Sequence, residues 1–375
     1  MNACGTVLVF NYNVSGMNRF LFRELKTEWN LIVEDIPHPV LPRYVLAALS
    51  FHPRKATWKK RYGLALTRYH TSAPCFRTRS RYARRVAANH AEFDIAFQIG
   101  GLFNGLAAVR GRPRATFASF NMCLSRREWP PWAPFRSDAA YRQWLELEKE
   151  LYVQTDHLLC TNRYVMRSFE QDYGIPPEKL HYIGYGINFD VLPDVKKTYR
   201  SRLALFVGYD FQRKGGPTVV EAFRLARKDF PDARLRIIGP TQLSAEYLVE
   251  GVEFVPRLAD RAALQRHFTE ADFFVMPSLC EPFGLVFLEA MAHKNACIGS
   301  TNNAMPEIIE HGRTGYVVEP GNAEALAEYM RRLFGNEDLR REMGDASLQR
   351  VQEHFTWAAC GARVREVFRT MRSGA

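Results

Sequence analysis

Two glutamates, Glu281 and Glu289, stand eight residues apart in the segment Ser278–His293, SLCEPFGLVFLEAMAH. An apolar strand pattern ends at Pro277, Pro282 and Gly284 hold an irregular loop, and helical periodicity begins near Leu285. The first amides of such a helix, around Gly284, Leu285 and Val286, have no intrahelical partner. With the helix dipole they make an anion site suited to a phosphate. A carboxylate beside that phosphate would be repelled by it, so Glu281 and Glu289 read as acceptors for neutral hydroxyls, such as those of a sugar ring or a ribose. Cations should face the phosphate. Arg213 and Lys214, in the segment FVGYDFQRKGGPTVVEA, follow a strand and a turn, and Gly215-Gly216 then open a helix. Two cations there would stabilise charge growing on a departing diphosphate and remove the need for a metal. No acidic cluster with Asp-x-Asp spacing stands out as a metal site. Taken singly, these residues also read as surface carboxylates and a solvated basic turn, and His293 as a partner for the helix C-terminus.

The elements that must position these groups alternate along the chain. Thr6–Phe10, Leu31–Val33, Asp94–Gly100, Thr116–Phe120 and Lys179–Ile183 read as strands, with helices over Arg19–Glu28, Asp138–Gln154 and Tyr164–Tyr173. Beyond Tyr199 the alternation is cleaner. Strands are expected at Arg202–Gly208, Arg234–Gly239, Val252–Val255, Phe273–Pro277, Ala296–Gly299 and Thr314–Val318. Helices are expected at Thr218–Lys228, Arg261–Glu270, Leu285–His293, Ala323–Phe334 and Glu337–Glu353. Such alternation predicts an α/β protein of βαβ units with parallel sheets. A break near Leu192–Arg200 implies two doubly wound, Rossmann-like domains facing a central cleft, over residues 1–190 and 201–355. The amphipathic residues 356–375 are expected to form a C-terminal helix crossing back to the first domain. In a doubly wound sheet, the loops bearing Arg213-Lys214 and Glu281 both lie at the carboxyl ends of strands.

Composition excludes several classes. With 375 residues, 47% hydrophobic and 24% charged, the chain is neither disordered nor low-complexity. No apolar run reaches the roughly 18 residues of a membrane helix, and the first residues, MNACGTVLVFNYN, do not read as a secretory signal. Seven scattered cysteines without C-x-x-C spacing argue against a disulfide scaffold or structural zinc and fit a cytoplasmic protein. The net charge of +11 is unevenly placed. Residues 1–190 hold 26 Lys and Arg against 16 Asp and Glu, and residues 54–85 hold 11 basic residues and no acid. Trp58, Tyr62, Tyr69, Phe76 and Tyr82 are interleaved with those cations. The pattern suits a solvated face, an anionic lipid surface or stacking on nucleic acid; the lipid reading is favoured and nucleic acid is not expected. Trp129–Phe135, WPPWAPF, is a second aromatic loop suited to an acceptor lid, a shallow membrane contact or plain packing.

Glu281, Pro282, Phe283, Gly284 and Glu289 together resemble the E-x7-E motif of retaining GT-B glycosyltransferases, most nearly glycosyltransferase family 4. The similarity extends over the C-terminal half. It takes in Phe206-Val207-Gly208 with Arg213-Lys214-Gly215, then Pro306-Glu307-Ile308-Ile309, Gly312, Thr314-Gly315, Glu319-Pro320-Gly321 and Phe355-Thr356-Trp357. In the first half it is thin: Gly16 and the stretch Ser168–Asp190. The resemblance implies retaining transfer of a sugar from a nucleotide-diphosphate donor to a hydroxyl acceptor, a glycan or lipid-linked precursor, without a metal or other cofactor. It implies that Glu281 binds the donor sugar and Glu289 the ribose. The diphosphate falls to Gly284, Leu285, Val286, Arg213 and Lys214, with Gly16 and Phe283 also at the donor. No protein nucleophile is implied. The chain departs from the pattern in three places. Tyr209 stands where an Arg often follows the strand glycine, Asn303-Ala304 stand where a Gly-Gly pair is common, and SFNMCL offers Ser119 and Asn121 where many members carry a His. Asn121 is thus a candidate sugar or acceptor contact. A non-catalytic nucleotide-sugar-binding protein and another GT-B enzyme, such as a sugar epimerase, stay open as alternatives. A peripheral place on the cytoplasmic membrane face is the expected location.

Overall fold

The computed structural model describes residues 3–12, 18–37 and 41–374, without the side chains at 41 and 42. The chain divides into two units, Met1–Gly184 with Cys360–Ala375, and Tyr185–Ala359. Gly16 lies outside the described residues.

In the first unit six parallel strands form one sheet: β1 (Thr6–Asn11), β2 (Asn30–Asp35), β3 (Ile95–Ile99), β4 (Arg114–Ala118), β5 (His157–Cys160) and β6 (Leu180–Tyr182), in the order β2-β1-β3-β4-β5-β6. β3 is buried at every position and β1 at all but its first, as expected of strands with both faces covered by helices. β5 is the strand that sequence periodicity fails to announce. Its four residues follow the helix Asp138–Gln154 with only a short connection and carry no period of their own. Residues 54–85 fold into two helices, Lys55–His70 and Ala73–Ala88. The second buries one face, including Phe76, Ala83 and Val86. The first buries none of its residues.

The helix Trp357–Ser373 closes the chain, and its residues from Cys360 onward belong to the first unit. There Arg363 Nε donates to Ile183 O at 2.8 Å, Arg365 Nη1 donates to Glu24 O at 2.7 Å, and Phe368 packs edge-on against Trp29 and Phe97.

A buried acid sits in the first unit. Glu148 accepts from Tyr152 Oη at 3.0 Å, from Tyr173 Oη at 2.5 Å and from the Met122 amide at 3.3 Å. Loss of hydration nevertheless pushes its carboxyl up to about 7 against those three donors.

In the second unit the strands are β7 (Leu203–Val207), β8 (Arg234–Ile238), β9 (Val252–Val255), β10 (Phe273–Val275), β11 (Ala296–Ser300) and β12 (Gly315–Val318). All are parallel, in the order β12-β11-β10-β7-β8-β9. The winding reverses between β7 and β10, which pair Ala204 with Phe273 and Leu205 with Phe274. Chains leaving adjacent strands at such a reversal turn to opposite faces of the sheet, so their loops splay and leave a crevice at the carboxyl ends. The two loops at this reversal are those carrying Arg213-Lys214 and Glu281. They meet at Gly215, whose φ of 77° is open to glycine and strained for other residues; a Cβ there would lie 2.3 Å from Pro277 O.

Gly215→Ala is therefore expected to destabilise the second unit by at least ~1 kcal/mol, because both the backbone region and the space are closed to a methyl group; thermal unfolding of the variant measures this, and an unchanged melting point would refute the close approach. In the first unit, the folded chain keeps the Glu148 proton between the unfolded value near 4.3 and about 7 while the unfolded chain releases it. The stabilisation is thus full at acid pH and is lost as pH rises through that window. Compared with Glu148→Gln, the wild-type protein should lose stability by up to ~3 kcal/mol between pH 4.5 and 7.5; a difference that is flat with pH in chemical denaturation would contradict it.

Candidate functional site

Three loops of the second unit converge on Glu281. From the loop after β7, the Lys214 ammonium bonds the Glu281 carboxylate directly, and Arg213 Nη1 lies 3.5 Å from the same oxygen. Arg213 is itself fixed: its Nε pairs with Asp210 at 3.2 Å, its Nη1 donates to Cys280 O at 2.5 Å, and its carbonyl accepts from the Leu279 amide at 2.8 Å. From the loop after β11, Asn303 Oδ1 accepts from the Glu281 amide at 2.7 Å, Asn302 Nδ2 donates to Leu279 O at 2.7 Å, and Ser300 Oγ donates to Ser278 O at 2.6 Å. The side chains of Arg213, Lys214 and Glu281 are only 11%, 14% and 13% exposed. Charges this far out of water interact strongly and are costly to leave unpaired.

The helix Leu285–Ala292 starts directly after this cluster. Its N-cap is Gly284, at φ 90°, with no capping bond from a side chain, so its first amides remain available to an anion. Leu285 and Val286 are half-buried at that terminus. Phe283 turns the other way, 6% exposed, with its ring against Tyr185 at 5.1 Å and Phe355 at 6.3 Å. It anchors the loop as packing. Glu289, two turns below the loop's Glu281, is half-buried; loss of hydration pushes its carboxyl up, while Arg261 and Lys214 pull it down. His293 caps the end of this helix, its Nδ1 2.7 Å from Glu289 O, and is 1% exposed.

Three residues that the spacing of the sequence does not single out belong to the same neighbourhood. Arg261 Nη2 lies 3.3 Å from Glu289 Oε1, donates to Asn188 O at 2.6 Å, and its guanidinium lies over the Phe189 ring at 5.1 Å. Arg257 lies over the exposed Tyr209 ring at 4.5 Å, so a cation reaches the end of β7 from the loop after β9. Asn303 holds Glu281 from a backbone with φ 52°, a region asparagine enters more readily than most residues. The Asn at a place where glycines are common was the signal for this last residue. Arg257 and Arg261 lie in no recognisable spacing.

In the first unit, Asn121 is the N-cap of the helix Met122–Glu128. It is buried, its Oδ1 accepts from the Leu124 amide at 2.9 Å and its Nδ2 donates to Ser168 Oγ at 2.9 Å. Both ends of its amide are thus used within the fold.

Residues 192–350 match the family described as "Glycosyl transferases group 1". An MMP alpha-(1->4)-mannosyltransferase of Mycolicibacterium hassiacum is 24% identical over 301 residues, 77% of this chain and 73% of that protein. A phosphatidyl-myo-inositol mannosyltransferase of Mycobacterium leprae is 30% identical over 199 residues, 50% of this chain and 52% of that protein. The solved sucrose-phosphate synthase of Thermosynechococcus elongatus superposes with a TM-score of 0.69 at 17% identity, over 99% of this chain and 100% of that one, which shows a shared GT-B fold. The residues that match this family, 192–350, are those in which Arg213, Lys214 and Glu281 meet at the switch point of the sheet.

Proposed function

We propose that this chain moves a glycosyl group from a nucleotide-diphosphate sugar to an acceptor hydroxyl with retention of configuration, and that it needs no bound metal to do so. The observation that carries the reading is the buried Arg213–Lys214–Glu281 cluster beside the uncapped start of the helix Leu285–Ala292. The amides at Gly284, Leu285 and Val286 and the two cations would hold the diphosphate, Glu281 the sugar hydroxyls and Glu289 the ribose. In the transfer the bond from the anomeric carbon to the phosphate oxygen breaks, the acceptor oxygen bonds that carbon on the same face, and the acceptor proton passes to the leaving phosphate. Charge grows on the diphosphate, where the preorganised cations and helix amides stabilise it without reorganisation. This is the function a metal would otherwise perform. The sugar-transferring names of the mycobacterial relatives support the donor class, and the phosphatidyl-inositol relative supports a lipid-linked acceptor.

The first unit would receive that acceptor at the cytoplasmic face of a membrane. Among the described residues no helix is long and apolar enough to cross a bilayer. The helix Leu41–Leu49 and the turn after it present Tyr44, Val45, Leu49 and Phe51 to solvent, 52–80% exposed. Lys55, Lys59, Lys60 and Arg61 follow on the helix that buries none of its residues. Exposed apolar side chains beside unopposed cations suit an anionic lipid surface. Asn121, spent as a helix cap, favours one second reading, a nucleotide-sugar-binding protein without turnover.

With a panel of nucleotide sugars, transfer and retained anomeric configuration should survive EDTA; loss on chelation would contradict the metal-free reaction, and donor binding without product on any acceptor would favour the second reading. Glu281→Gln should lower turnover by roughly a hundredfold or more while the variant stays folded, in keeping with removal of a preorganised polar contact; full activity would remove Glu281 from the site. Reversal of Lys59, Lys60 and Arg61 to Glu should weaken sedimentation with anionic vesicles by roughly fivefold for each cation removed, each being worth about 1 kcal/mol at such a surface. Equal binding to neutral vesicles, or tighter binding to RNA, would refute the membrane reading.

A further inference from the structure

We propose that the first unit holds a separate binding site for one lipid molecule, a pocket that takes the apolar chain of an anionic amphiphile while two arginines at its edge take the phosphate. The proposal deepens the lipid-acceptor reading and rests on it for the identity of the chain, though not for the existence of the pocket.

The cavity measures about 290 Å³ and opens among the helix Lys55–His70, the start of the helix Ala73–Ala88, the segment 134–136 and the first turn of the helix Asp138–Gln154. Leu46, Ala65, Tyr69, Pro134, Phe135 and Ala140 supply its apolar wall. Small alanines at Ala65 and Ala140 leave the space that a Leu at either helix position would fill. Rings are available on one side: Phe135 packs on Tyr141 at 5.3 Å and on Trp144 at 6.2 Å, which fixes that wall from behind.

The polar part of the lining carries one sign of charge. Arg68 and Arg136 border the cavity, and among the described residues no carboxylate does. Arg68 Nε donates to Pro134 O at 3.1 Å, which holds the guanidinium across the mouth and joins the basic helix to the aromatic loop. Neither arginine has an ion pair among the described residues. Arg236 and Arg114, by contrast, pair with carboxylates, Glu253 at 2.8 Å and Asp156 at 2.9 Å. An apolar hole bordered by two unopposed guanidinium groups is complementary to hydrocarbon ending in a phosphate, since arginine recognises phosphate through several donors at once and the wall takes chain out of water.

The pocket adjoins the surface that bears Leu49, Phe51 and Lys59, but its chemistry differs. That surface meets many headgroups without selecting one, whereas the cavity admits a single chain. A lipid drawn from the bilayer into it would be held by one end at a defined place on the first unit.

The test uses octyl phosphate below its critical micelle concentration, so that no membrane or micelle is present. Calorimetric titration of the full chain should show a single saturable site. Octyl glucoside, with the same chain and no charge, and inorganic phosphate, with the charge and no chain, should each bind roughly tenfold more weakly or worse. Ala65→Leu and Ala140→Leu, both compatible with helix, should weaken octyl phosphate by roughly tenfold with unchanged melting points. Arg136→Gln should do the same through the head. Vesicle binding by the two filled variants should stay as in the unaltered protein, because they remove no cation. Undiminished binding in the two filled variants, equal affinity for inorganic phosphate, or no saturable site would each overturn the pocket. Nucleotide-sugar binding by the same variants reports on the transfer reading independently, so failure of the one is distinguishable from failure of the other.

Discussion

Three charged side chains removed from most of their water meet at one point of the second sheet. Arg213, Lys214 and Glu281 are each at most 14% exposed, and the hydration they have lost is replaced by one another and, for Arg213, by Asp210 and the Cys280 carbonyl. Attraction between them is not sufficient, since a buried ion pair is near neutral for stability unless its geometry is fixed and its remaining donors are satisfied. Asp210, the Cys280 carbonyl and Asn303 supply that geometry, and they come from three loops. The arrangement is better suited to holding a ligand than to holding the fold together. Its two cations are matched by Glu281 and Asp210, so the uncapped helix start beside them supplies the added positive potential.

The sheet topology makes the corner possible. In the second sheet the crossovers part to opposite faces between β7 and β10, so there two loops can descend on one point without a helix between them. Gly215 lets the loops touch, and the third loop, after β11, reaches in from the adjacent strand to hold the Glu281 amide. Site and topology are therefore consequences of one chain path.

The second unit was largely legible from its residues. Its strands are short apolar runs bounded by turn residues, and the helix that follows Glu281 has a start signal in Pro-Phe-Gly and no glycine or proline within it. The first unit was less so. β5 is too short for periodicity, and the span 54–85 hides two helices because its cations and aromatics mask the small apolar face that only Ala73–Ala88 buries. Within the site, Glu281, Arg213 and Lys214 were legible because each sits next to glycines or proline that mark a loop. Arg257 and Arg261 were not, since their roles depend on a fold that brings the loop after β9 over Tyr209 and the next helix to Glu289. Asn121 shows the reverse limit. A polar residue before a helix is most economically a cap, and the fold uses it as one.

The first unit differs in kind. Its polar interior is spent on structure, as in the Glu148 cluster, while its outward face gathers exposed apolar residues and unopposed cations. That division would suit the acceptor-receiving role proposed for this unit. The most direct measurement of the central claim is a crystal structure with the true sugar donor bound. The account predicts the diphosphate between the Gly284–Val286 amides and the Arg213-Lys214 pair, with the sugar hydroxyls on Glu281. A diphosphate seated away from that corner would contradict it.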